Sequence, residues 1–255
     1  MRVHETGSSS YVKESEDGER VLGGYGPRLF NQRAVDQLRT IIDLLKSRPD
    51  TRQAVIQLFN AEDLSGACKA VPCTTTMQFM IRRGRLHMLV TMRSNDAFKG
   101  LPHDVFCFTM IQELVARTLG LAIGIYKHFA GSMHLYDNNR EAAQQYLNEA
   151  VQASIEMPPM PAGDPWPAVA KLLQAEELVR NGLDLDARFF DIHPYWGDLI
   201  RLLQAFAASG DAAKIQSIKS AMSFKPYGPY IESRRGKKPR VVKPPVQFIL
   251  PLGSR

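Results

Sequence analysis

Leu86, Met88, Val90 and Met92 alternate with His87, Leu89 and Thr91, the period-two pattern of a strand with one buried face. The apolar run Met77 to Ile81 precedes it at strand length, and Arg82-Arg83-Gly84-Arg85 supplies the turn between the two. Whatever else the chain does, it must accommodate this pair of strands and the Arg93 that stands at the end of the second.

The remaining elements mix both periods. Val35, Leu38, Ile41, Ile42 and Leu45 fall three, six, seven and ten residues apart, one helical face over Arg33 to Ser47, with Arg48-Pro49-Asp50 as the stop. Ala54 to Asn60 is a short strand-like run. Asp104 to Leu119 is apolar nearly all round, the pattern of a buried central helix, with Asp104 at its start as an N-cap. Ile123 to Phe129 reads as a further strand that delivers Gly131-Ser132-Met133-His134-Leu135-Tyr136, followed by a helix to about Ala153. The expected class is α+β, a mixed sheet packed with helices.

Three regions follow from composition along the chain. Residues 1-22 are a polar lead-in, closing near a turn at Gly23-Gly24-Tyr25-Gly26-Pro27. Residues 23-156 form the core. Residues 157-255 begin with the proline-rich break Met157 to Pro167 and continue into helical patterns over Ala168 to Asn181, Tyr195 to Ser209 and Ala212 to Met222, a helical subdomain expected to pack on the core. The basic run Arg234-Arg235-Gly236-Lys237-Lys238-Pro239-Arg240 is a solvated tail or loop on its plain reading, and a contact for nucleic acid or a membrane surface on the other. The end, Pro244 to Pro251, is a late strand or a lid.

Composition narrows the class. At 255 residues with 44% hydrophobic and 23% charged, the chain can bury a core of its own. It has no apolar stretch of about eighteen residues or more and no apolar middle in its first residues, so a soluble intracellular protein is expected. Cys68, Cys73 and Cys107 are an odd count without a CxxC spacing or a Cys/His cluster, which favours reduced cytoplasmic thiols over a disulfide framework or a metal site. The net charge of +6 favours anionic ligands.

The chemistry is concentrated in one stretch. Val71-Pro72-Cys73-Thr74-Thr75-Thr76-Met77-Gln78-Phe79 is followed by Met92-Arg93-Ser94-Asn95-Asp96, then by Gly100-Leu101-Pro102-His103-Asp104-Val105. A cysteine between apolar strands is ordinarily inert core. Here the thiol, the Arg-Ser pair and the carboxylate in that order resemble the active-site core of the thymidylate synthase family, over about Gly23 to Asn148.

The resemblance implies a set of roles. Carbon five of a pyrimidine is too weak a nucleophile to attack a one-carbon donor, so these enzymes add a thiolate to carbon six; Cys73 would be that thiolate. Arg93 and Ser94 would hold the nucleotide phosphate, the guanidinium also favouring the thiolate. Gln78 belongs to the cysteine motif and would contact substrate. Asp96 would bind the pterin of the folate co-substrate, methylenetetrahydrofolate. His134 and Tyr136, two residues apart and so on one side of a strand, would hold the sugar. Tyr25 would help to remove the proton from carbon five. Pro49-Asp50-Thr51-Arg52-Gln53 resembles the segment through which a consecutive arginine pair reaches the phosphate site of the partner in a homodimer; only Arg52 matches, with Gln53 at the second position.

Asp104 departs from the pattern. Thymidylate synthases acting on uracil nucleotides carry an asparagine there. Cytosine presents an amino group where uracil has a carbonyl, and a carboxylate accepts from that amino group. The same substitution marks the family's cytidylate hydroxymethylase branch, in which water quenches the exocyclic methylene intermediate. The expectation is hydroxymethylation of CMP or dCMP. The alternatives are reductive methylation of dUMP with a protonated Asp104, and a relative that binds nucleotide or nucleic acid without turnover. The last is favoured by an expected absence: the family's N-terminal arginine loop and glutamate-bearing helix have no recognisable copy, and Glu14, Glu16 and Glu19 are weak replacements.

Overall fold

The computed structural model describes residues 15, 21–66, 69–149 and 155–239. Cys68, Glu14, Glu16, Glu19, Arg240 and the segment from Pro244 to Pro251 lie outside the described residues. The chain divides into two compact units, Met1–Ala153 and Ser154–Arg255.

The first unit is built on a four-stranded mixed sheet in the order β1 (Val55–Gln57), β2 (Thr74–Arg82), β3 (Arg85–Met92), β5 (Ala122–Ala130). β1, β2 and β3 are antiparallel neighbours, and β3 pairs with β5 in parallel. The expected hairpin is present, and Arg83 and Gly84 both take the left-handed conformation its tight turn needs. A parallel pair requires a crossover, and α3 (Gly100–Thr118) supplies it, lying against β3 and β5. A two-residue parallel ribbon, β4 (Asn95–Asp96) with β6 (Met133–His134), extends the line of the sheet.

Register decides which side chains meet. Ile56 stands opposite Met77, Met77 opposite Val90 and Val90 opposite His128; Phe79 stands opposite Met88 and Met88 opposite Tyr126. The buried face therefore carries Ile56, Met77, Phe79, Leu86, Met88, Val90 and Met92 and continues onto β5 as Tyr126 and His128. The parallel register slips between Leu86 and Met88. His87 Nδ1 accepts there from the Ile125 N–H at 3.1 Å, and the buried Gln112 side chain donates to the Leu86 carbonyl at 2.9 Å. Gly124 permits the approach, since a Cβ would lie 2.8 Å from that carbonyl oxygen.

Four sequence expectations need correction. The first long helix, α2, is Gln37–Ser47 rather than Arg33 to Ser47. Arg33 and Ala34 have positive φ, Asp36 caps the helix through the Arg39 N–H at 2.8 Å, and Val35 is 46% exposed instead of joining Leu38, Ile41, Ile42 and Leu45 in the core. The helix expected to start at Asp104 starts at Gly100, so Asp104 is no N-cap; that work falls to Asp96, whose carboxylate accepts from Lys99 N–H at 2.9 Å and Gly100 N–H at 3.1 Å. Nor is this helix buried all round: Phe108, Gln112, Val115 and Ala116 are buried, while Phe106 and Cys107 are exposed. Finally, Tyr25 lies in α1 (Tyr25–Phe30) and not in a turn. Among the described residues no helix is long and apolar enough to cross a membrane.

The first unit ends, as described, with α4 (Arg140–Asn148). The second holds α5 (Trp166–Arg180), α6 (Pro194–Ala207), α7 (Ala212–Ala221) and α8 (Gly228–Ser233). The first three match the expected helices within two residues at each end, whereas α8 is too short to show a period. Its core has two centres, Ala175, Ala187, Phe190 and Ile200 in one and Ala205, Ile215, Ile218, Met222 and Ile231 in the other.

Candidate active site

Cys73 immediately precedes β2 and is half-buried. The next peptide fixes a neighbour, because the Thr74 N–H donates to the Tyr25 hydroxyl at 3.0 Å. Burial pushes the Tyr25 phenol above its ordinary value; the bonds from Thr74 offset part of the rise, and the proximity of Cys73 and Asp104 adds to it. Tyr25 is therefore a neutral phenol at neutral pH, one peptide away from a thiol.

Asp104 joins from the second turn of α3. Burial raises its carboxyl above the usual aspartate value, while His103 and a hydrogen bond from Asn95 act in the opposite sense. Cys73, Tyr25 and Asp104 thus come from a strand entry, a helix start and a crossover helix, with Cys73 and Asp104 each near enough to raise the Tyr25 phenol.

Arg93 ties the cysteine segment to β3. Its Nε donates to the Pro72 carbonyl at 3.0 Å and its Nη2 to the Val71 carbonyl at 2.9 Å, while its backbone N–H reaches the Cys73 carbonyl at 2.8 Å. Those side-chain bonds use two of the guanidinium's five donors. Next to it, Ser94 Oγ lies 3.3 Å from His134 Nδ1, and the His134 ring meets the Tyr136 ring edge-on at 4.8 Å between centroids. Ser94, His134 and Tyr136 form one polar group around the β4–β6 ribbon, where Asp96 pairs with His134. Burial raises the Asp96 carboxyl, but the N–H groups of Lys99, Gly100 and Phe98, with His134 nearby, hold it below the ordinary 3.8.

Arg52 and Gln78 stand together elsewhere. Gln78 occupies the β2 positions that face away from Met77 and Phe79, and its amide donates to the Arg52 carbonyl at 3.0 Å. The exposed Arg52 guanidinium makes no hydrogen bond or ion pair among the described residues.

Three side chains of the site escaped the sequence reading. Asn95 is buried behind Asp104, and its Nδ2 lies 3.1 Å from His128 Nε2; His128 Nδ1 lies 2.7 Å from the Tyr126 hydroxyl. The available signal was the alternation of β5, which puts Tyr126 and His128 on one side with Lys127 on the other.

The arrangement offers a thiol, a neutral phenol and a carboxyl at one end, and a guanidinium, a hydroxyl, an imidazole and a second phenol at the other. That is the equipment for adding sulfur to an electrophilic ring whose anionic and hydroxylated tail is held nearby. A family model described as "Thymidylate synthase" matches residues 8–161. Proteins named thymidylate synthase from Listeria monocytogenes serovar 1/2a (strain ATCC BAA-679 / EGD-e) and Listeria innocua serovar 6a (strain ATCC BAA-680 / CLIP 11262) are each 31% identical to the chain over 119 residues. The match covers 47% of this chain and spans 38% of the length of each of those relatives.

Proposed function

Because the chain belongs to the thymidylate synthase family, we propose that it transfers a one-carbon unit to C5 of a pyrimidine nucleoside monophosphate, and that the nucleotide is CMP or dCMP and the product its 5-hydroxymethyl derivative. Methylenetetrahydrofolate supplies the carbon as co-substrate. The Cys73 sulfur bonds to C6, and the displaced ring electrons make C5 the nucleophile. The Tyr25 hydroxyl, which accepts from the Thr74 N–H next to Cys73, helps to carry the C5 proton away. C5 bonds to the methylene carbon of the folate, and once the C5 proton has left, the bond from that carbon to the folate nitrogen breaks, releasing tetrahydrofolate and leaving an exocyclic methylene. Water adds to that carbon and gives up one proton to solvent, and the returning ring electrons expel the Cys73 thiolate as the C6–S bond breaks. Arg93 and Ser94 hold the phosphate, His134 and Tyr136 the sugar, and Asp96 the pterin.

The observation that carries the choice of base is Asp104 on the second turn of α3, near enough to Tyr25 to raise its phenol. One carboxyl oxygen accepts from the cytosine amino group. The other faces the unprotonated ring nitrogen, so a single proton shared between carboxyl and ring completes the pair. Uracil demands more, since Asp104 would have to hold that proton alone in order to donate to the C4 oxygen. The hydrogen bond from Asn95 favours the charged carboxyl and so weighs against uracil. A second reading, methylation of dUMP to dTMP, is favoured by the burial that raises Asp104 and by the names of the relatives.

Release of tritium from C5 of CMP, dCMP and dUMP, with product masses read in parallel, tests the assignment. Cytidylate turnover by the wild type is expected, and Asp104→Asn should move the cytosine-to-uracil ratio of kcat/KM towards uracil by at least about 100-fold. An unchanged ratio in that variant would remove Asp104 from base reading. Nucleotide binding without hydrogen release would mean a binding protein without turnover.

We also propose a cytoplasmic homodimer in which Arg52 serves the partner's phosphate site. The face of the sheet turned away from α3 leaves Ile125 and Phe129 59% and 58% exposed, an apolar surface of the kind that subunit association buries. The test mixes two impaired variants, Arg52→Ala and Cys73→Ala. If Arg52 acts across the interface, one site of each mixed dimer has both residues and activity returns; if it acts within its own chain, mixing restores nothing.

A further inference from the structure

We infer that Asp96 is a positioning residue for base recognition: its carboxylate sets the first turn of α3 and, through that turn, the place of Asp104. The inference deepens the proposed function, since it rests on Asp104 as the base reader and on Asp96 as the contact for the pterin. The resemblance gives Asp96 to the pterin alone.

Asp96 stands on a fixed base. In the β4–β6 ribbon its neighbours on either side are tied across, Asn95 N–H to the Ser132 carbonyl at 2.9 Å and Ala97 N–H to the His134 carbonyl at 2.8 Å. The first N–H groups of a helix have no partner inside it. At the start of α3 the cap residue is Lys99, whose side chain makes no cap bond, and Pro102 brings no N–H at all. Asp96 fills the gap. Its Oδ2 accepts from Lys99 N–H at 2.9 Å and Gly100 N–H at 3.1 Å, while its Oδ1 has one longer contact, from Phe98 N–H at 3.3 Å. The two oxygens thus divide the work: Oδ2 belongs to the helix, and Oδ1 keeps a lone pair for a donor on the co-substrate.

One helical turn carries the effect onward. Asp104 follows Gly100 by four residues and so lies on the same face of α3. A Cβ on Gly100 would lie 2.6 Å from Asn95 Oδ1, 3.2 Å from Asp96 Cβ and 3.8 Å from Asp104 Oδ2, so the ribbon, the helix start and the base reader meet with no side chain between them. Without the carboxylate the Lys99 and Gly100 N–H groups lose their acceptor, the first turn frays, and Asp104 leaves the position in which it meets the base. Arg93, Ser94, His134 and Tyr136 do not belong to α3, and their hold on phosphate and sugar stays. The loss therefore falls on discrimination between bases and not on nucleotide binding as a whole.

The test compares calorimetric Kd values for CMP, UMP, dCMP and dUMP, measured without folate so that the pterin contact plays no part. The proteins are wild type, Asp96→Asn, Asp96→Ala, Asp96→Glu and Asp104→Asn, with thermal melting to confirm folding. Asparagine keeps an oxygen for the two N–H groups and turns an NH2 towards the pterin; glutamate keeps the charge but holds it one methylene away from them. The preference for the cytosine nucleotide is expected to stay within about twofold of wild type in Asp96→Asn, which caps as well as aspartate, and to fall about fivefold in Asp96→Ala and Asp96→Glu, the value of one lost cap. With folate present, Asp96→Asn should raise the KM for methylenetetrahydrofolate about tenfold at unchanged base preference. If Asp96→Ala, or Asp96→Glu where the alanine protein does not fold, keeps the wild-type preference, or if Asp96→Asn loses it, the positioning role is overturned while a shift in Asp104→Asn leaves the base reader standing. A wild type without preference for cytosine, or an Asp104→Asn protein that changes nothing, overturns both.

Discussion

Cys73→Ala should lose C5 hydrogen release by a factor on the order of 10⁴ or more while still binding nucleotide. The thiol is half-buried at a strand entry and makes no contribution to the sheet that an alanine cannot make. The bonds that shape its surroundings all use the main chain of the cysteine segment and none uses the thiol: Thr74 N–H to the Tyr25 hydroxyl, the Cys73 carbonyl from Arg93 N–H, and the Pro72 and Val71 carbonyls from the Arg93 side chain. Removing sulfur therefore removes the nucleophile and leaves the cradle. Tritium release, calorimetric binding of nucleotide and the mass of a covalent nucleotide adduct measure the three parts separately. Residual release above that level would mean that addition to C6 does not proceed through this sulfur.

The second large effect is on stability. Asp63 and Arg28 are buried together, with bonds of 2.6 and 2.7 Å between guanidinium and carboxylate, and Arg28 also donates to the Leu58 carbonyl at 2.5 Å and the Leu22 carbonyl at 3.1 Å. Asp63→Ala leaves a guanidinium in the interior without its counter-charge, which costs about 3–5 kcal/mol. The pair also fixes the pH dependence. The hydrogen bonds from Arg28 outweigh the desolvation that burial imposes and hold the Asp63 carboxyl below its usual 3.8. A lowered folded value means that the unfolded chain binds the proton more readily, so the contribution is complete above about pH 4 and is lost as pH falls through the folded value. Denaturant unfolding of wild type and Asp63→Ala at neutral pH and in a series of acid buffers checks both statements; the gap between the two proteins should narrow as pH falls. Arg28 and Tyr25 share one short helix, so the same substitution should also weaken hydrogen release by loosening the phenol.

The sequence was most legible where the signal is local. The β2–β3 hairpin follows from strict alternation and a glycine turn, and α2, α5, α6 and α7 from sustained periods. It was least legible where a distant or very short element decides. Asp96 lies outside the apolar period of α3, yet its carboxylate sets where that helix begins, which is why Asp104 was misplaced at the cap. α1 and α8 have too few turns to show a face. The conserved-looking order of Cys73, Arg93, Ser94, His134 and Tyr136 could be seen along the chain, but the line from Asn95 to Tyr126 could not. It exists only because β3 and β5 pair in parallel across a helix that separates them in sequence, and a one-residue change of register would send His128 to the opposite face.

The two carbonyl bonds of Arg93 also say something about how a nucleotide is received. A guanidinium has two edges, and here one edge is committed to the chain while Nη1 and the remaining hydrogen of Nη2 stay available to an anion. In the proposed function the clamp that steadies Cys73 and the hand that takes the phosphate are the same planar group, and the nucleotide would dock onto a loop already set and give up little disorder on arrival. A lysine would carry the same charge without a second edge, and would have to choose between the loop and the guest.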